Sequence, residues 1–137
     1  MNFARVGLAA LAAWAVYLAL GFLIHGVMLA DLWAGLQRDG VARSAATGSA
    51  LMPLGFGLAL PGALAFAYGY AKGYEGGPGM QEGLRYGVLV GLMLVAFGLT
   101  WNYVTFPLPL QYLTSTAVAT VIEFAALGMV VGLVYRK

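Results

Sequence analysis

Glu123, His25, Thr116 and Thr120 are the residues whose types and spacing could do chemistry away from water. Glu123 lies near the middle of 113–135, a stretch otherwise apolar or weakly polar and long enough to cross a membrane. An ionised acidic group at that depth costs roughly 2.5–3.5 kcal/mol on insertion scales, so it must be neutralised or paired. Thr116 and Thr120 precede it by seven and three residues, which sets all three on one helical face. One reading is a carboxylate that binds a proton or cation beside a water-filled cavity. The other is a hydrogen-bonded Glu that locks helices together.

His25, the one histidine, falls about a turn inside the far end of the first apolar stretch. At 1.5 Å per residue it lies ~7 Å below the outer boundary and Glu123 ~15 Å, close enough for a side chain or one water to join them. A neutral imidazole there could hydrogen-bond a neighbouring helix, share a polar site with Glu123, or ligate the metal of a haem or chlorophyll. Zinc asks for three or four protein ligands, and Asp31 and Glu123 are the only companions. No metal and no cofactor is expected, with tetrapyrrole binding at His25 the weakest alternative.

Other chemistries find no residues. Cysteine is absent, which removes disulfides, thiolate catalysis and cysteine metal sites. Gly73, Gly76, Gly77 and Gly79 form no phosphate-binding loop, since no G-x-x-x-x-G-K-[ST] occurs and no strand precedes them. Ser44, Ser49 and Ser115 have no second histidine to serve them, so no enzyme is expected. A net charge of +2 is too small to suggest nucleic acid.

Those residues must be held by membrane-spanning helices. The chain of 137 residues is 62% hydrophobic and only 9% charged, against about 25% charged in soluble domains. Four spans are expected in a single domain, 1–137, at about 6–30, 49–71, 81–101 and 113–135. Each matches the ~30 Å hydrocarbon core. The first run is about twice a signal-peptide core and lacks a clear cleavage site, so it reads as a retained helix. Pro61-Gly62 predicts a kink in the second span. Between the first two spans, Leu32, Trp33 and Leu36 share a face, which fits either a short interfacial helix or an ordered loop with a Trp anchor.

Positive charge sorts by side. Arg5, Lys72, Arg85, Arg136 and Lys137 oppose Arg38 and Arg43, so the positive-inside rule places both termini in the cytoplasm. Tyr68, Tyr70, Tyr74, Tyr86 and Tyr135 then mark the inner interface, and Trp33, Trp101, Tyr103 and Tyr112 the outer one. At the inner end, Lys72, Glu75, Glu82 and Arg85 are expected to form an ion-pair cluster pinning the turn between spans two and three.

Gly83, Gly87 and Gly91 repeat every four residues, with Gly98 beyond, and Gly128 and Gly132 give a shorter version on the last span. Such stripes let helix backbones touch, within one chain or between copies.

Three stretches, Phe22-Leu23-Ile24-His25-Gly26-Val27, Ala71-Lys72-Gly73-Tyr74-Glu75-Gly76 with Glu82-Gly83-Leu84-Arg85-Tyr86-Gly87, and Val121-Ile122-Glu123-Phe124, carry a likeness. The chain resembles small uncharacterised four-helix proteins of the bacterial inner membrane, a domain of unknown function. The resemblance implies an all-α membrane bundle and transfers no activity. The expectation is a non-enzymatic protein of the lipid bilayer that self-associates, or serves as accessory subunit of a larger membrane complex, through its glycine faces. A small oligomeric ion- or proton-coupled transporter or channel using Glu123 is the alternative.

Overall fold

The structure, a computed structural model, describes residues 1–135 and is all-helical. Arg136 and Lys137, counted above, lie outside the described residues. The elements are α1 (Phe3–Gly21), a π-helical turn (Phe22–Met28), α2 (Ala30–Arg38), α3 (Ala45–Gly73) and α4 (Gly79–Leu94). A second π-helical segment (Val95–Leu99), α5 (Thr100–Thr105) and α6 (Leu110–Val134) complete the order. Four continuous helices, Phe3–Met28, Ala45–Gly73, Gly79–Thr105 and Leu110–Val134, are long and apolar enough to cross a membrane.

All four begin a few residues before the sequence expectation, and Ala45–Gly73 and Gly79–Thr105 also end beyond it; polar caps explain two of the starts. Asn2 accepts from the Arg5 N–H at 3.1 Å and Ser44 from the Thr47 N–H at 3.3 Å, each taking up a donor that a first helical turn leaves free. α3 runs as one helix of 29 residues through both Pro53 and Pro61. The segment after the first span is a helix, α2, with Leu36 buried.

Consecutive spans alternate in direction. One end gathers Val6, Tyr70, Ala71, Val131 and Tyr135 in a common core. α6 packs against both α1 and α4, while α3 packs mainly on α1. The order across the molecule is therefore α3, α1, α6, α4. In its N-terminal half α3 stands at the edge, with Leu51, Leu54, Phe56 and Leu58 exposed. There the Trp14 indole N–H donates to the Phe56 carbonyl at 2.9 Å and ties α3 back to α1.

The tyrosines at the end that gathers Val6 and Tyr135 are mostly core rather than interface. Tyr70 and Tyr135 are buried, and Tyr70 meets Tyr74, Tyr86 and Tyr135 with ring centroids 5.7–6.2 Å apart. Phe66 extends this cluster to Tyr86 and Phe124. Of the five tyrosines expected at the inner interface, Tyr68 is exposed, beneath the Lys72 ammonium at 5.7 Å. Packing wins because a tyrosine ring buries a large apolar area while its hydroxyl needs one partner. Tyr86 finds that partner in the Phe66 carbonyl at 2.9 Å, and Tyr70 in the Gly79 carbonyl at 3.3 Å.

Candidate functional site

The first π-helical turn sets the position of His25. The Leu29 N–H donates to the Ile24 carbonyl at 2.8 Å, a five-residue step that widens the helix by one residue. Such bulges re-aim the side chains they carry. Leu29 itself has left helical geometry (φ −103°, ψ 15°), and the chain turns there into α2. α2 thereby brings Trp33 back over His25, edge to face at 6.1 Å, and Tyr112 of α6 stands edge-on to Trp33 at 5.8 Å.

On its other side His25 faces Glu123. Nε2 lies 3.2 Å from Oε1, with the imidazole 30% exposed and the carboxylate side chain 6% exposed. The contact has ion-pair distance without hydrogen-bond alignment, and Oε1 finds no hydrogen-bond partner among the described residues. His25 Nδ1, Trp33 Nε1 and Thr116 Oγ1 are likewise buried and unpartnered. Four such atoms in one region are exceptional, because buried polar atoms are nearly always satisfied. Whichever of the two groups holds it, one shared proton leaves the His25–Glu123 pair without net charge. That is the state in which a buried carboxylate is tolerated.

The threonines divide. Thr120 donates to the Thr116 carbonyl of its own helix at 2.8 Å, so its hydroxyl is spent on α6. Thr116 keeps a free hydroxyl two turns from Glu123. Among the described residues no three His, Asp or Glu side chains gather as a metal site would require.

A cavity of about 850 Å³ opens beside His25. Tyr17, Phe22 and His25 line it from the first span, Trp33 and Gln37 from α2, Met52 and Phe56 from α3, and Asn102 and Tyr112 from the last two spans. Arg43, in the connection before α3, stands at its rim. Sequence reasoning missed Tyr17 and Arg43 as site residues, and assigned Trp33 and Tyr112 to interfacial anchoring alone. The signal available was the apolar face of α2, which the fold buries at Leu36 while Trp33 meets His25.

The glycine positions lie inside the chain. Gly83, Gly87 and Gly91 are buried on α4, Gly128 and Gly132 on α6. A Cβ on Gly83 would collide with the Gly128 carbonyl, one on Gly87 with the Phe124 carbonyl, and one on Gly132 with the Gly79 carbonyl. The helices therefore touch backbone to backbone, antiparallel, and these faces are closed to a second copy. Gly98 has open space around it and takes no part.

The expected ion-pair cluster at the turn between α3 and α4 is corrected. No ion pair joins Lys72, Glu75, Glu82 and Arg85 among the described residues. Instead Glu82 accepts the backbone N–H of Glu75 at 2.5 Å and of Gly77 at 3.0 Å. Two fixed backbone donors hold one carboxylate better than exposed lysine and arginine, which lose rotamer freedom on pairing. Gly76, at φ +90°, supplies the left-handed residue that this wrap needs.

Fold and site together describe a helical chain with four spans able to cross a membrane and one buried carboxylate–imidazole contact beside a cavity. No family model, curated protein or solved structure matches it.

Proposed function

We propose that the chain is a multi-pass protein of the bacterial inner membrane, with both termini in the cytoplasm, that binds a proton or cation at His25 and Glu123. It acts as a small ion- or proton-coupled transporter rather than as an enzyme. The observation that carries this reading is the 3.2 Å approach of His25 Nε2 to the buried Glu123 Oε1, with His25 itself on the lining of a cavity of about 850 Å³. Intramembrane ionisable residues that pair with one another and face a cavity mark ion and proton pathways. Charge asymmetry along the sequence supports the orientation, which puts the cavity at the outer end.

Self-association through the glycine stripes loses its surface, because those residues already pack α4 on α6. An oligomer remains part of the proposal for another reason: four spans are few to enclose a pathway alone.

The test is a proteoliposome assay with a pH-sensitive dye inside, comparing wild type with Glu123→Gln under an imposed proton or cation gradient. Wild type should dissipate the gradient and Glu123→Gln should not. A wild-type protein that moves no tested ion under any gradient removes the proposal.

A further inference from the structure

We propose, resting on the reading above, that the outer cavity takes a single-chain anionic amphiphile, a long-chain fatty acid, with its carboxylate at Arg43. The volume of about 850 Å³ falls inside the ~300–1,000 Å³ range of ligand sites. Its walls are largely apolar, from Leu18, Phe22, Met52, Phe56, Phe106 and Leu108. Its polar lining comprises Tyr17, His25, Trp33, Gln37, Asn102 and Tyr112, with Arg43 from the connection before α3.

Charge selects the headgroup. Arg43 is the single formally charged side chain on the lining, and no acidic residue lines it. No described carboxylate lies within 4.0 Å of the Arg43 guanidinium. A planar guanidinium presents a fork of donors that matches a carboxylate in bidentate fashion. An organic cation would meet Arg43 at the rim and find Glu123 screened behind His25.

Length selects the chain. Tyr17 is shared with a second cavity of about 340 Å³, whose lining includes Ala59, Gly62, Ala63, Phe66 and Phe124. From Gly48 to Ala63 α3 rises about 22 Å, the reach of one extended acyl chain. The lining of that second cavity is apolar apart from Tyr17, the surface that an alkyl end needs.

The experiment uses the full protein in nanodiscs of zwitterionic lipid, labelled with a photoactivatable diazirine palmitate and mapped by mass spectrometry. Label is expected on Phe22, Met52 or Phe56. Oleate should compete about tenfold better than oleyl alcohol, and Arg43→Gln should erase that difference. Arg43 is exposed, so its replacement leaves folding intact. Equal competition by oleyl alcohol, stronger competition by hexadecyltrimethylammonium or phosphatidylglycerol, or label spread over the lipid-facing sides of all four spans overturns the proposal. Glu123→Gln should still be labelled. Arg43-dependent labelling in a protein that moves no ion would keep the ligand and discard the transport reading.

Discussion

Gly83 of α4 lies directly against the carbonyl of Gly128 on α6, and Gly128 lies as closely against the carbonyl of Gly83. Each is the space the other needs. The reciprocity repeats one turn towards the α3–α4 connection, where Gly79 and Gly132 meet each other's carbonyls, and one turn the other way Gly87 lies against the Phe124 carbonyl. Close backbone approach of this kind is how helices associate where the surrounding solvent is itself apolar. It also fixes the depth of Glu123, which lies on the same helix one residue from Phe124.

Gly83→Val should destabilise the protein by at least the 1–3 kcal/mol typical of overpacking, about, because the obstacle is backbone rather than a movable side chain. Thermal unfolding in detergent would read this as a lowered midpoint. Gly98→Ala, where nothing lies within 4 Å, should leave the midpoint unchanged. Equal effects at the two positions would mean that α4 does not seat on α6 through Gly83.

A subtler coupling links Gly69 and Tyr86. A Cβ on Gly69 would come within 2.5 Å of the Tyr86 hydroxyl, the same oxygen that donates to the Phe66 carbonyl. Gly69→Ala should therefore cost about 1 kcal/mol by displacing that hydrogen bond. In a Tyr86→Phe background the clash disappears, since the next ring atom stands 3.6 Å away. The two substitutions should then be less than additive in unfolding midpoints; strict additivity would contradict the contact.

The four spans were legible in the sequence because hydrophobic length and glycine spacing act locally. The site was only partly so. The depth of His25 and Glu123 followed from counting residues, but the partner of Trp33 did not. That ring's position depends on the π-helical turn at Phe22–Met28, and no short pattern of residue types marks where a helix widens by one residue. The turn between α3 and α4 misled for a physical reason: Lys72, Glu75, Glu82 and Arg85 have the composition of a salt-bridge cluster, yet exposed pairs contribute little. Unsatisfied backbone donors at Glu75 and Gly77 take Glu82 instead. Likewise, tyrosine spacing alone cannot separate an interfacial belt from a buried cluster such as Tyr70 with Tyr135.

Glu82→Ala should loosen the turn between α3 and α4, since two N–H groups lose their acceptor at a cost of about 1 kcal/mol. Limited proteolysis within 74–78 should accelerate by roughly the fivefold to tenfold that this free energy implies if opening limits cleavage. Glu82→Gln keeps an acceptor oxygen and should fall between. Lys72→Ala and Arg85→Ala should leave the cleavage rate at the wild-type value, because neither side chain bonds the turn. A strong effect of either would restore the ion-pair cluster that the geometry replaces.

The pair at the centre makes the sharpest demand. Removing one member of a buried pair leaves the other uncompensated, which costs about 3–5 kcal/mol in deep sites. With its imidazole 30% exposed, His25→Ala should sit at or below the lower end of that range. Glu123→Gln removes the charge requirement and keeps a polar group of the same size. The combination His25→Ala with Glu123→Gln should therefore be more stable than His25→Ala alone. Unfolding midpoints of the four proteins form a double-mutant cycle whose coupling isolates the contact between Nε2 and Oε1. Coupling near zero would mean that the two groups are neighbours without interacting. The buried Glu123 would then need another partner to account for its place in α6.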